Sequence, residues 1–472
     1  MTILKKDLKA SASNSLNSYF PIRTNDSGNP YDWEYATAIV IRNLYRRSVS
    51  EKVIKALKKS EDDLEINNKN ALKILISKTE KEFTSILDEP ELWPVIEDMY
   101  LKEDVFQYLA PEAALFNLLP YSSSNSKNRL ADLFLSLMNG FHLKRSGETD
   151  NKDDALKRIE RNFLESKVVE CLRSEDILGV FEDKKLSKGI NEKPYLPFLT
   201  KTFKKDLNLL GQYPSYLTEN LTALLKLYGF LYTSQLALNI NGWEDEPKSR
   251  PVYFIMENET ASKERDDLIT SGYQNLARSF KYIFPILSVS ESLQNINKAD
   301  NQHRLPLWEL YSHLSGDDKE KLKAYTKDFY ETRNFKSNID YDLNSEGKSI
   351  EDCLNTLLKI ALDQFNKGET RAAAQGKFIN SIEQELCIEF CRSRGQLGKI
   401  LVMNQDYLSL LTNICIGKNE KLRFHELLEE FKSRGVYFDK QSQQALIVFF
   451  ERVGNVERMS DSGDAVYVRK TI

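Results

Sequence analysis

Cysteine, histidine and carboxylate side chains are where a reaction would be expected, and their spacing here is poor in catalytic patterns. Cys387 and Cys391 stand four apart within a segment, 369–392, of strong helical periodicity, which would set both thiols on one face, able to ligate a metal or form a redox pair. No histidine or third cysteine accompanies them, and Ile382, Leu386, Ile388 and Phe390 favour a buried, inert pair. His142, His303, His313 and His425 are far apart, none in an HExxH and none beside a CxxC, so they read as surface or satisfied histidines and not as ligands. Glu182-Asp183-Lys184 has the Glu-x-Lys form of metal-dependent nucleases, a weak signal in so charged a chain. Phosphate chemistry would need amides curled around the anion with a lysine at their end; GxxxxGK[ST] and GxGxxG are both absent, and Gly395 to Lys399 shares only the composition of such a loop. The expectation is a protein without catalytic residues, metal, cofactor or small-molecule substrate, working by binding macromolecules.

Candidate binding residues fall in two places. The densest basic group comprises Arg42, Arg46, Arg47, Lys52 and Lys55, with Tyr35 and Tyr45 interleaved; it is either a solvated helix face or a surface for nucleic acid or an acidic partner. The second place is the end of the chain. Lys440, Gln441, Gln443 and Gln444 open a helical pattern; glutamine can bond an adenine edge, and Lys440, Arg458, Arg469 and Lys470 could neutralise phosphates. Against this, Ile447 and Val448 are surplus to an apolar face of Leu446, Phe449, Phe450 and Val453, which favours a covering protein. Asp461 and Asp464 would also stand near any bound phosphate with the wrong sign. Residues 399–472 carry eleven basic and ten acidic side chains, too even a balance to choose between DNA and protein.

The elements that must position these residues are mostly helices. At 472 residues the chain can form two or three domains, and its 66 basic against 70 acidic side chains deny it the positive field of a general nucleic-acid binder. Apolar residues recur at three- and four-residue spacing over 31–47, 70–88, 129–138, 154–172, 216–239, 265–283, 350–366 and 369–392, each a predicted helix. Segments 121–127, 146–154 and 241–251 read as loops, and Val252–Met256 as a short strand. The apolar stretch 217–240 is interrupted by Glu219, Asn220, Lys226 and Gln235 and reads as a core helix, not a membrane span. Five irregularly spaced cysteines and a lysine-bearing start without an apolar segment suit a cytoplasmic protein with reduced thiols.

After residue 400 the pattern changes. A helix over 406–415 closes at Gly417; a second over 423–432 uses Leu427, Leu428 and Phe431; 436–438 connects; Asp439 caps a third helix over 440–453; and 455–459 and 465–469 form a hairpin around Gly463. Helix, helix, helix, hairpin is the order of a winged helix-turn-helix. The expected architecture is therefore mainly α: an elongated or bundled multi-helix body with a C-terminal winged helix-turn-helix domain. Its expected domains are a helical region 1–245, a second helical region 246–400 with a short strand, and the winged helix 401–472.

The run Arg434-Gly-Val-Tyr-Phe-Asp439, followed by Arg458-Met-Ser-Asp-Ser-Gly-Asp-Ala-Val-Tyr-Val-Arg469, resembles the C-terminus of the DptG (DndG) family, the G component of the DNA phosphorothioation-dependent restriction system. Tyr19-Phe-Pro-Ile-Arg23, Asp32-Trp33 and Arg42-Asn-Leu-Tyr-Arg46 agree with it. The resemblance implies a role in bacterial antiviral defence beside companion F and H restriction subunits, with the ATP-dependent functions in the companions and double-stranded DNA as a further candidate partner; it carries over no catalytic residue. A non-catalytic adaptor is thus one expectation. A stand-alone winged-helix regulator is a second, and a metal-dependent nuclease a third.

Overall fold

The computed structural model describes residues 3–14, 16, 20–23, 31–45, 47–49, 80–81, 83–85, 90–100, 125–143, 181–183, 192–243, 245–259, 265–294, 303–337, 341, 349–394, 398–459 and 465–472. The described chain is mostly helical with short strands. It divides into two compact units: Asp32–Gly189 with Lys204–Leu225 and Ile472, and Met1–Tyr31 with Ile190–Phe203 and Lys226–Thr471. The boundaries expected at 245 and 400 both fall inside the second of these.

The first unit is organised on helices α1 (Trp33–Tyr45) and α3 (Asn125–Met138), which pack together; Val40, Ile41 and Leu44 of α1 and Leu130, Leu133, Phe134 and Leu137 of α3 are buried. Trp33 and Phe134 bring their ring centres to 6.2 Å, and the Leu143 amide closes onto the Leu44 carbonyl at 2.8 Å. Strands β1 (Arg47–Val49) and β2 (Phe181–Asp183) pair antiparallel, and α2 (Trp93–Tyr100) sets Trp93 5.8 Å from Phe83. Helix α3 begins at Asn125, inside the stretch 121–127 read as loop. The predicted helix over 154–172 and most of that over 70–88 lie outside the described residues.

Helices α4 (Pro197–Leu210) and α5 (Pro214–Asn239) each cross the division between units. Helix α5 is apolar nearly all round: Leu217, Leu221, Leu224, Leu227, Phe230, Leu231 and Leu236 are fully buried. No helix among the described residues is long and apolar enough to cross a membrane.

In the second unit a four-stranded sheet runs in the order β4–β5–β3–β7. Its centre is β3 (Val252–Met256), with parallel neighbours on both sides: β5 (Lys399–Met403), registered Ile255 to Val402, and β7 (Val436–Phe438), registered Phe254 to Phe438. Strand β4 (Cys391–Ser393) closes the other edge antiparallel to β5. A strand buried between two others suits the β-branched and aromatic run that forms β3. Phe230 of α5 packs on the sheet, 5.7 Å from Phe254 and 4.8 Å from Phe390, and Phe254 continues to Phe438 at 6.4 Å.

Helices α6 (Asp266–Thr270), α7 (Tyr273–Ser279), α8 (Ile283–Leu293), α9 (Leu307–Ser312), α10 (Lys319–Thr332), α11 (Ile350–Asp363) and α12 (Ala372–Glu385) build the rest of the body. Helix α8 is buried along its length and packs on α11; Phe284 meets Phe365 and Phe378 at 5.8 and 5.4 Å. A capping box between Ser349 and Asp352 fixes the start of α11.

Three expectations are corrected. Segment 265–283 is not one helix: it breaks between α6 and α7, where a Cβ on Gly272 would overlap the Leu268 carbonyl and the Ser271 carbonyl accepts from the Tyr253 amide of β3 at 3.1 Å. Segment 369–392 is helical only to Glu385, because Cys391, Arg392 and Ser393 pair with Leu401, Ile400 and Lys399. And 436–438 is not a bare connection but the edge strand β7. Gly435, just before it, has φ +85°, and a Cβ there would run into the Gln235 amide nitrogen and stand 3.3 Å from the Arg250 carbonyl. Gln235 meanwhile clamps Arg250 by two 2.8 Å hydrogen bonds, giving to its carbonyl and accepting from its amide. Gly435→Ala is therefore expected to cost more than about 2 kcal/mol, from left-handed strain plus displacement of the clamp; an unchanged urea midpoint would remove β7's dependence on that glycine.

Candidate nucleic-acid and protein interface

From residue 404 onward the chain builds a small layered arrangement. Asn404 caps α13 (Gln405–Ile416) by accepting the Tyr407 amide at 2.9 Å, and Gly417 at φ +67° ends it. Then come β6 (Lys421–Arg423), α14 (Phe424–Ser433), the sheet strand β7, α15 (Lys440–Val453), β8 (Val456–Met459) and β9 (Ala465–Arg469). Strand β9 lies between β6 and β8, antiparallel to both, so the predicted hairpin has a third strand. That strand, only three residues long and followed at once by a helix, carries no alternation of its own to announce it. Leu427, Leu428 and Phe431 of α14 and Leu446, Phe449 and Phe450 of α15 are buried as expected, and Phe450 sits 6.5 Å from Phe424 and 5.5 Å from Phe449. Val453, expected in the same core, is 48% exposed, because it ends the helix one turn beyond the core layer.

The start of α15 is fixed by ions from outside the segment. The Asp439 side chain accepts the Ser442 amide at 2.8 Å, a regular N-cap, and both its oxygens also accept from Arg265 at 2.6 Å. Arg265 gives a further bond to Glu259 at 3.0 Å and another to Ser442 Oγ at 2.6 Å, while Ser442 Oγ donates to Glu259 at 2.9 Å. The Arg265 side chain is 5% exposed and those of Glu259 and Asp439 are 8% and 11%, so the fork is nearly desolvated. Burial by itself would raise the Asp439 carboxyl, but the bonds from Arg265 and the Ser442 amide outweigh it and hold it below the ordinary aspartate range.

On the opposite side of α15, Lys440, Gln441, Gln444 and Val448 are exposed, and Val448 is 61% open. Ile447 is half-buried. Gln443 is turned inward, its amide donating to the Phe438 carbonyl at 2.8 Å. The cations of the strands are already engaged. Arg458 Nε donates to Glu451 at 3.1 Å, Arg469 Nε to Glu457 at 2.9 Å, and Lys421 Nζ to Glu457 at 3.0 Å. Those donations from Lys421 and Arg469 hold Glu457 below its usual range. Lys470 reaches the Gly417 carbonyl at 3.4 Å. The turn with Asp461 and Asp464 lies outside the described residues.

Of the other basic group, only Arg42 and Arg47 lie among the described residues. Arg42 is 6% exposed among Val40, Ile41, Asn43 and Leu44, so a side chain read as solvated belongs to the inner face of α1. Arg47 lies in β1 opposite Asp183, and Arg46, Lys52 and Lys55 lie outside the described residues. Cys387 and Cys391 do not share a helix face, since α12 has ended. Burial raises both thiols, that of Cys391 to about 11, which keeps them protonated and unreactive at neutral pH. Among the described residues no three histidine, cysteine or carboxylate side chains gather as metal ligands.

No protein-family model matches the chain and no curated protein is significantly similar to it.

Asp439→Asn should cost about 3–5 kcal/mol, because it leaves the Arg265 charge buried with one carboxylate in place of two. The wild-type chain should keep this contribution above the usual aspartate value of about 3.9 and lose it as pH falls through the lower folded-state value. Equal urea stability of the variant and wild type at neutral pH would refute the pairing. Phe450→Ala should cost about 3–5 kcal/mol by opening a cavity between α14 and α15. A thermal unfolding profile unaltered by that change would mean that this core face is misassigned.

Proposed function

We propose that the chain is a non-catalytic accessory subunit of a phosphorothioation-dependent DNA restriction complex of the DptG type, and that residues 405–472 form a winged helix-turn-helix that docks on protein. The winged-helix reading is supported by the order α13, β6, α14, α15, β8, β9 and by the pairing of β6, β9 and β8 in one small sheet. In it α15 is the recognition helix and the β8–β9 hairpin the wing. The assignment to this restriction system rests on the resemblance of the runs Arg434 to Asp439 and Arg458 to Arg469, and the companion F and H subunits are the partners it names.

One observation carries the choice of protein over DNA: cations on β6, β8 and β9 are paired with carboxylates of the same segment. Arg458 is committed to Glu451, and Arg469 and Lys421 to Glu457, so a phosphate would have to displace three ion pairs to be held. The helix that would enter a groove has Val448 at the middle of its open face, an apolar centre with polar neighbours Lys440, Gln441 and Gln444 of the kind a protein partner covers. A second reading, DNA contact, is favoured by those same neighbours, since all three are exposed at the end of the helix that meets base edges in DNA readers.

Co-expression with the companion F and H subunits, followed by native mass measurement, tests the first reading. Val448→Asp should fold with an unchanged melting temperature and weaken companion binding at least about tenfold, as expected for a charge placed at the centre of an interface. Retention of the variant in the complex would place the docking surface elsewhere. Anisotropy with a labelled duplex tests the second reading: replacing Arg458 and Arg469 together with glutamine should leave affinity and its salt dependence unaltered, whereas a reduction in both would transfer the wing to DNA.

A further inference from the structure

A second site lies at the other end of the sequence. Leu4 pairs with Gln294 in an isolated antiparallel bridge, and the Lys5 amide donates to the Leu293 carbonyl at 3.0 Å, tying residues 3–14 to the end of α8. Between this segment and α10 is a cavity of about 270 Å³, lined by Lys5, Lys9, Ser11, Asn14, Arg304 and Arg333 among others. With Arg371 beside Arg333, the charged groups in and around it are five cations, Lys5, Lys9, Arg304, Arg333 and Arg371, against the carboxylates Glu192, Glu291 and Asp328.

These charges do not cancel locally. Arg304 is bound to Glu192 at 3.0 Å and Glu291 at 2.8 Å, a buried triad that already holds two carboxylates. Lys5 and Lys9 have no salt bridge among the described residues. Arg333 is 4% exposed; its guanidinium lies 3.9 Å over the Phe329 ring and gives one bond to the Ser11 carbonyl. Its Nε is buried without an acceptor among the described residues, a costly state for a charged donor. Burial, and then the Arg371 charge, bring Arg333 down to about 10, and burial followed by Arg304 lowers Lys5: in both the cation is under strain that an anion would relieve. The volume admits a phosphate group with a body about the size of a sugar, and not a polymer.

We propose that this cavity is a binding site for a small phosphorylated ligand, its phosphate held by Arg333, Lys5 and Lys9. Ser13 and Asn14 also line this space, where the Ser13 hydroxyl meets that of Ser11 at 3.3 Å and Asn14 Nδ2 donates to Gln364 at 3.1 Å. None of the residues lining the cavity belongs to the C-terminal segment 404–472.

The test is thermal unfolding of the full chain in inorganic phosphate against sodium chloride at matched ionic strength, with ribose 5-phosphate as a third arm. Phosphate should raise the midpoint saturably where chloride does not. Lys5→Gln combined with Lys9→Gln removes two charges from partly exposed positions, so the fold is kept, and should raise the apparent Kd at least about tenfold. Arg333→Met should abolish the shift if it folds. Stronger stabilisation by ribose 5-phosphate than by phosphate identifies a sugar phosphate as the ligand, and the reverse identifies free phosphate. Equal midpoints in all three salts, or a phosphate shift that survives Lys5→Gln with Lys9→Gln, would overturn the proposal.

Discussion

Strand β3 has a parallel neighbour on each side, and that pairing organises the second unit. Parallel strands cannot be joined by a tight turn; each return needs a crossover. Between β5 and β7 the crossover consists of α13, β6 and α14, so these three elements connect two strands of a sheet whose middle strand comes from far earlier in the sequence. The aromatic rings of Phe230, Phe254, Phe390 and Phe438 pack into one layer only when this pairing is made. The C-terminal helices therefore share a core with residues 252–256 and do not form a module appended to it.

Arg265 is the second tie, and it acts on the start of α15. By gripping the cap of α15 while also binding Glu259, it makes the first turn of that helix part of a buried ionic cluster. A desolvated, fully hydrogen-bonded fork of this type adds specificity of placement more surely than net stability, since removing either partner strands the other. The pairs at Arg458 and Arg469 are of another kind. Their arginines are more than half exposed, each pair contributes on the order of 0–1 kcal/mol, and their consequence is electrostatic: each sets a carboxylate against a strand cation. One side of α15 is thus held by the body and the other is open, with Val448 at its centre.

The run Arg434 to Asp439 is explained by this architecture. Arg434 is wholly buried and bonds back to Glu430, Gly435 supplies the left-handed residue against Gln235, the next three residues are β7, and Asp439 is the cap held by Arg265. Its residues are demanded by packing. The basic cavity beside α8 and α10 is a different case: five cations stand in and around it against three carboxylates, and the buried Arg333 has no carboxylate partner among the described residues.

The sequence by itself determined what is local. Three- and four-residue periodicity showed α1, α5, α11, α13, α14 and α15, the Asp439 cap could be read from one residue type before an apolar pattern, and Val252–Met256 announced itself by β-branched and aromatic content. Tertiary structure alone decided what depends on partners distant in sequence. Strands β6 and β7 are three residues each, too short for any period, and exist because β9 and β3 offer them hydrogen bonds. The helix expected over 265–283 breaks because β3 takes the Ser271 carbonyl, and that expected over 369–392 stops because β5 claims Cys391 to Ser393. Arg42 counts as one more charge in a run until α1 turns it inward, and Arg458 and Arg469 count as free cations until Glu451 and Glu457 meet them. Periodicity is a property of neighbours along the chain, whereas charge compensation and strand pairing are properties of neighbours in space, and only the folded chain supplies those.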